Sequence, residues 1–359
     1  MDKQMQAIAE KVHNNVRLSY EDGIYLYQSS DLLAIGDLAR YKKQQVSGQN
    51  IYFNVNQHIN LTNICTSKCK FCAFGVDDDN QSAYLMTRQE AFDYGASAVA
   101  HGITEFHIVS AMHPDMPFEY YVDVVRNLHQ AYPNIHIQAF TAVEIFYFAQ
   151  ISGRSIREVL ETLREAGLGS MPGGGAEILN DDLRRQLCPR KAMSQDWLEI
   201  HRTAHALGIK TNCTMLFGHV ESIGDRINHL ITLRELQDSE PGFQAFIPLP
   251  FLPENTHLDH LKRTSAVDDI KTLAISRLML DNIEHIKAFW VMLGIDIAQI
   301  SLNFGADDID GTVIEERIMH AAGARTGTAI SKEDIIRLIK EAGYVPTERD
   351  TLYNILQVY

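Results

Sequence analysis

The sequence predicts an α/β fold in which parallel strands close into a TIM-type (β/α)8 barrel. Three observations carry this. Apolar strand-like runs alternate with stretches of helical periodicity along most of the chain, the pattern of a parallel sheet. Eight such runs occur, the number that closes a barrel. Glycine-rich and polar segments follow most of these runs, at the rim where such barrels carry their chemistry. A six-unit open barrel with a different C-terminal region is the alternative.

Each element has its own signal. Helical periodicity at 3–13 and 31–43 precedes the first strand, so residues 1–50 read as an N-terminal helical extension. Strands are expected at 51–59 ("IYFNVNQHI"), 104–110, 134–140 and 167–171. Four more follow at 209–217, 243–248, 288–293 ("AFWVML") and 298–304 ("AQISLNF"). Amphipathic stretches at 87–101, 118–131, 155–166, 195–207, 223–237 and 266–285 separate most of them. Helices near 312–322 and 332–342 close the pattern. The expected division is therefore a barrel over 51–325 and a helical C-terminal extension over 326–359, packed on the barrel.

Composition narrows the function. Of 359 residues, 45% are hydrophobic, enough for a sizeable core, and the net charge is −14. That balance argues against nucleic acid as a partner. The start, "MDKQMQAIAEKVHNN", lacks the apolar core of a signal peptide, and no run approaches a membrane span. The expectation is a cytoplasmic protein, monomer or homodimer.

"NICTSKCKFCAFG" places Cys65, Cys69 and Cys72 in one loop just past the first strand. In a reducing compartment such clustering suggests metal or redox chemistry. Thiolates suit zinc or an iron–sulfur cluster. A structural zinc needs a fourth ligand at finger-like spacing, and none lies nearby. Three ligands suit a 4Fe-4S cube with one open iron, able to bind a chelating ligand. Cys188 and Cys213 read as structural. His201 and His205 stand four apart on a helix but lack the glutamate of a zinc motif, so they read as packing. "MPGGGAEIL" (171–179) is neither a dinucleotide fingerprint nor a phosphate-binding loop; it reads as a tight turn or a close ligand approach.

The spacing C-x3-C-x2-C, with Phe71 before the last cysteine, resembles the radical S-adenosylmethionine (SAM) superfamily. That resemblance implies that SAM chelates the open iron and is cleaved to a 5′-deoxyadenosyl radical by an electron from a low-potential donor. It also implies SAM contacts from Phe71, from Ser110 in "HIVSAMHP", from Gly173 and Gly174, and from Phe217 and Ile247. Glu144 in "FTAVEI" is placed to bind the ribose hydroxyls, or else is a helix-end glutamate.

"HINLTNICTSKCKFCAFG", "MPGGGAEIL", "TNCTMLFGHVES", "GFQAFIPLPF" and "GADDIDGTVIEERIMHAAGA" run in order along the chain. Together they resemble the aminodeoxyfutalosine synthase family of the futalosine route to menaquinone. Cyclic dehypoxanthinylfutalosine synthases and the tyrosine-using synthases of a deazaflavin cofactor share part of the pattern. An iron–sulfur or zinc protein without catalysis is the reading from another class. The family resemblance implies addition of the adenosyl radical to the enol-ether double bond of 3-(1-carboxyvinyloxy)benzoate, with loss of one carboxylate as bicarbonate or CO2. SAM would be consumed as co-substrate. An aromatic dicarboxylate needs donors in the pocket. Candidates are His58, Asn60, Thr62, Asp307 and Arg325, although His58 reads equally well as a core histidine.

Overall fold

The computed structural model describes residues 2–359. Three helices come first: α1 (Lys3–His13), α2 (Tyr20–Gln28) and α3 (Leu32–Ser47). The single strand expected at 51–59 is two. β1 (Asn50–Asn54) and β2 (Asn56–Ile59) are separated by Val55 and belong to different sheets. From β2 onward the chain alternates: α4 (Arg88–Val99), β3 (Glu105–Ile108), α5 (Phe118–Ala131), β4 (His136–Ala139), α6 (Ala142–Ser152) and α7 (Ile156–Ala166). It continues with β5 (Ser170–Met171), α8 (Asp181–Leu187), α9 (Ser194–Ala206), β6 (Lys210–Phe217), α10 (Ile223–Ser239), β7 (Phe243–Pro250), α11 (Ala266–Met279) and β8 (His285–Ile286). β2 to β8 form one parallel sheet in chain order.

After β8 come α12 (Trp290–Leu293), α13 (Ile295–Ser301), β9 (Asp308–Gly311), α14 (Ile318–Ala321), α15 (Lys332–Glu341), β10 (Val345–Arg349) and β11 (Ile355–Val358). The segment around β9 bridges the two edges of the curled seven-stranded sheet. Asp307 N–H donates to Ile286 O at 3.1 Å and Ala288 N–H to Asp308 O at 2.8 Å. On the other side Ile314 N–H donates to Asn56 O at 3.1 Å and His58 N–H to Ile314 O at 3.0 Å. A second sheet, ordered β11-β10-β1-β9, continues from this seam.

Four expectations are corrected. "AFWVML" (288–293) is not the seventh strand; its last four residues are α12, and the strand lies just upstream at β8. A short apolar run buried on every side has no periodicity by which to choose helix or strand. "AQISLNF" (298–304) falls largely in α13, and the eighth strand is β9, whose inward charges hid it. The C-terminal segment is not purely helical: α15 is followed by β10 and β11, and β10 pairs in parallel with β1. The helix expected at 312–322 shrinks to α14, and α2, α6 and α8 were not foreseen.

Several helices start by one local device. Thr87, Thr141, Ser155 and Ser222 each accept a hydrogen bond from the third helical N–H, whose own carboxylate accepts from the cap's N–H. Such boxes satisfy two orphan donors and fix where a helix leaves its loop.

The tail after α15 seals the bottom of the barrel. Arg349 Nε donates to Asp308 Oδ2 at 2.7 Å; Nη2 lies 2.6 Å from the same oxygen, too oblique for a second hydrogen bond. Tyr353 donates to that carboxylate at 2.8 Å and stacks on His285, ring centroids 3.6 Å apart. Thr351 Oγ1 donates to Glu105 Oε2 at 2.7 Å. Asp308→Asn strands the buried Arg349 guanidinium without a counter-charge. It is expected to lower unfolding free energy by about 3–5 kcal/mol, read as a shifted denaturant midpoint under anaerobic conditions.

Candidate active site

The three thiols sit in the loop between β2 and α4, and that loop is tied down by its backbone. Cys65 N–H donates to Val76 O at 3.1 Å, Val76 N–H to Asn63 O at 2.9 Å, and Lys70 N–H to Leu187 O at 2.8 Å. Cys65, Cys69 and Cys72 are all free and all line one cavity of about 220 Å³ at the C-terminal end of the parallel strands. Gly75 packs between two of them: a Cβ there would lie 3.0 Å from Cys65 Cβ, 3.7 Å from Cys65 Sγ and 3.9 Å from Cys72 Sγ. The sulfurs therefore flank a common space. Among the described residues, no three potential ligands converge as a single metal ion requires.

Burial pushes the Cys69 thiol up to about 12, against the pull of the Lys191 ammonium. Burial raises Cys72 as well, while the backbone N–H groups of Gly75 and Phe74 favour its thiolate. Thiols so placed ionise when a metal takes the proton's place. Three cysteines at the mouth of one cavity, each free to bind its own iron, fit a 4Fe-4S cluster.

Glu144 enters the same cavity from the first turn of α6. It is 3% exposed. Its Oε1 accepts from Ser110 N–H at 2.8 Å, and its Oε2 accepts from Thr141 N–H at 2.7 Å and Thr141 Oγ1 at 2.8 Å. Burial raises its pKa to about 7, and those donors oppose the rise. The two readings of this residue are not exclusive, because one carboxylate caps the helix and lines the cavity. "TAVE" was the capping-box signal that could have revealed α6.

Lys191 and Glu177 were not singled out from the sequence. Both line the cavity, and they pair at 2.7 Å, with side chains 14% and 12% exposed. The Lys191 ammonium also lies 5.1 Å from the centre of the Phe71 ring. Glu177 belonged to the quoted "MPGGGAEIL"; Lys191 sits in an ordinary loop after α8 and had no local signal. Apolar walls come from Leu216, Leu249, Phe251, Met292 and Met319.

The remaining candidates fall in different places. Phe71, Ser110 and Gly174 line the cavity. Gly173 does not: a Cβ there would come within 2.6 Å of the Cys213 backbone, so close packing explains that glycine. Phe217 is fully buried beneath the Arg226 guanidinium, 5.0 Å away, outside the lining. Ile247 shares a face of β7 with the lining residue Leu249, two positions deeper. His58 and Asn60 are buried and outside the cavity lining, and Asn60 Nδ2 donates to O of the lining residue Val109 at 2.8 Å. Thr62 is spent on the loop, donating to Tyr84 O at 2.6 Å.

Asp307 and Arg325 lie apart from this site. Asp307 is fully buried, accepting from Arg277 Nη2 at 2.6 Å and paired with His285 Nδ1 at 2.9 Å. Its position just before β9, not at the end of an eighth strand, puts it in the seam. The Arg325 side chain is 81% exposed and 3.8 Å from Glu254. His201 and His205 both meet Thr211 Oγ1 at 2.9 Å, in keeping with packing rather than metal binding.

Comparison with known proteins agrees with this geometry. Residues 59–233 match the Radical SAM superfamily, and residues 240–359 match the CofH/MqnC C-terminal region. The aminodeoxyfutalosine synthase of Thermus thermophilus is 43% identical, over 100% of this chain and 97% of its own. That of Streptomyces coelicolor is 41% identical, over 98% and 94%. The 5-amino-6-(D-ribitylamino)uracil–L-tyrosine 4-hydroxyphenyl transferase of Methanopyrus kandleri is 39% identical, over 89% and 88%. In fold, the chain resembles methylornithine synthase (TM-score 0.76, 18% identity, 94% of this chain and 97% of that one). It also resembles the hydrogenase maturase HydG (TM-score 0.76, 17% identity, 96% and 75%). With three thiols at the mouth of a curled parallel sheet and full-length likeness to these synthases, the chain belongs to the aminodeoxyfutalosine synthase family of the radical SAM superfamily.

Proposed function

We propose that this enzyme transfers the 5′-deoxyadenosyl group of SAM to the enol-ether carbon of 3-(1-carboxyvinyloxy)benzoate. The products are 6-amino-6-deoxyfutalosine, methionine and bicarbonate or CO2, a step of menaquinone biosynthesis. The observation that carries the reading is likeness over the whole chain, ligand loop to tail, to synthases of that name. When bound, a reduced 4Fe-4S cluster supplies the electron that splits SAM.

The protein's own residues then have distinct tasks. Cys65, Cys69 and Cys72 hold the cluster, and Phe71 with Lys191 covers its flank. Glu144 accepts from the ribose hydroxyls with the lone pairs its caps leave free. Ser110 and Gly174 let the nucleoside approach the backbone closely. The wall of Leu216, Leu249, Phe251 and Met292 keeps water and stray hydrogen donors from a primary radical. Reacting carbons must be held about 3–3.5 Å apart. Residues 51–325 carry this chemistry, with 1–50 and 326–359 as accessory segments. The enzyme works in the cytoplasm as a monomer or homodimer, reduced by a low-potential donor.

Anaerobic reconstitution with dithionite, SAM and the enolpyruvyl benzoate is the direct test. Adenosylated product is expected; SAM cleavage without it would refute the substrate. The tyrosine-using and cyclase readings predict turnover on their own substrates instead. Replacing Cys69 with alanine is expected to abolish both the brown chromophore and turnover, whereas Cys188→Ala keeps the chromophore.

Glu144 provides a pH test. Its ionised form is the better acceptor and is complete only above its raised pKa of about 7. SAM affinity should therefore rise as pH increases from about 6 to 8. In Glu144→Gln, which preserves the capping box, affinity should be pH-independent and about tenfold weaker at the upper end, as measured by equilibrium dialysis.

A further inference from the structure

The barrel lumen has a second polar layer beneath the cavity. Side chains alternate along a strand, so residues two apart share a face about 7 Å apart. Thr214 and Leu216 of β6 line the cavity, which puts Asn212 one step deeper. Val109 lines it directly after β3, which puts His107 one step deeper too. His58 of β2 pairs in register with His107, and their rings stack with centroids 4.4 Å apart and planes 13° from parallel. His58 is 8% exposed, yet its Nε2 has no hydrogen-bond partner, and neither has Asn212 Oδ1.

The stack is oriented from below. Glu105, 2% exposed, places Oε1 3.1 Å from His107 Nδ1. Its other oxygen accepts from Asn54 Nδ2 at 2.9 Å and Thr351 Oγ1 at 2.7 Å. Burial raises the Glu105 pKa, but the His107 hydrogen bond and nearby positive charge lower it further, so the carboxylate is ionised. An ionised carboxylate only accepts, so His107 Nδ1–H donates to it, and a second proton on Nε2 makes that nitrogen the donor for a bound carboxylate. Four enclosed cations near this layer each already have a carboxylate partner. Lys287 pairs with Asp310 at 3.0 Å, Lys191 with Glu177, Arg349 with Asp308 and Arg277 with Asp307. Here two imidazoles face one carboxylate.

We infer that the His58–His107 stack, oriented by Glu105, seats the benzoate carboxylate of the substrate one strand-step below the adenosyl site. The inference rests on the function proposed above. The alkene must meet C5′ beside the cluster, so the benzoate end points down the lumen. A carboxylate there receives a charge-assisted hydrogen bond from His107 Nε2–H, with the Glu105 carboxylate stabilising the imidazolium. Burial, and then the charge of the stacked His107 ring, lowers the His58 pKa to about 4, so His58 stays neutral and offers its Nε2. Asp310 and Glu316 are the other carboxylates that His58 senses. Lys287 neutralises the first, and the second pairs with His320 at 3.1 Å. His107 and His58 are thus binding residues, and Glu105 is a positioning residue.

The test uses the anaerobic, cluster-loaded enzyme with SAM. Dissociation constants are measured for the enolpyruvyl benzoate and for its analogue whose benzoate carboxylate is a primary amide. The wild type should prefer the acid by about tenfold to a hundredfold. His107→Phe should lose that preference, His107→Gln should recover part of it, and Glu105→Gln should raise KM far more than it lowers kcat. Equal binding of acid and amide by the wild type would overturn the assignment without any variant, should His107→Phe fail to fold. A His107→Phe enzyme that keeps the preference would overturn it as well. Product formation by the wild type separates the two readings. With no adenosylated product the proposed function falls; with product but no preference for the acid, only the carboxylate seat falls.

Discussion

Charge enclosed in a barrel must be neutralised inside it, and this constraint shapes the molecule. Removing a carboxylate from water costs several kcal/mol unless a partner stands beside it. Glu105, Asp307, Asp308 and Asp310 all point into buried space. Their partners come from separate parts of the chain: His107 on β3, Arg277 on α11, Arg349 on β10 and Lys287 after β8. The segment around β9 makes few backbone hydrogen bonds to the sheet edges, so its aspartates secure the seam. The C-terminal strands are therefore structural parts of the barrel bottom, which leaves the opposite rim for chemistry.

At that rim the same physics runs in the other direction. Cys69 and Cys72 are too buried to ionise readily. The loop that carries them is pinned to Val76, Asn63 and Leu187. A site pre-organised at this energetic cost suits a metal cluster, whose binding replaces the thiol protons. Glu144 shows how one residue joins fold and function. The capping box that starts α6 also aims its carboxylate into the cavity and ties β3's exit, through Ser110, to the helix that follows β4. The lumen floor is the third level, where the tail that seals the bottom also touches Glu105 and so reaches His107.

Legibility in the sequence followed signal type. β3 to β7 were readable as short strand-like runs between turn signals, and helices such as α5, α7 and α15 by their amphipathic stripes. α6 was missed although "TAVE" announces it, since its sequence is apolar nearly all round and shows no stripe. β8 and β9 were misplaced because they are two and four residues long, with His285, Asp308 and Asp310 among them. Those polar residues fill the lumen, where a sequence reading expects apolar ones. The cysteines were readable because three thiols at fixed spacing in one loop are a local fact. Asp307 and Arg325 were not, because what each touches depends on distant segments.

The sequence by itself determined the alternating α/β architecture, the cluster loop and, by the order of its motifs, the family. These are properties of short windows and of their succession. Only the tertiary structure decided that residues 51–59 split between two sheets, that β10 joins β1, and that Lys191 pairs with Glu177 in the cavity wall. Only it revealed that His107 stacks on His58 above a buried glutamate. Such facts depend on pairings between segments far apart in the chain, and side-chain burial and charge matching select those pairings only once the barrel has closed.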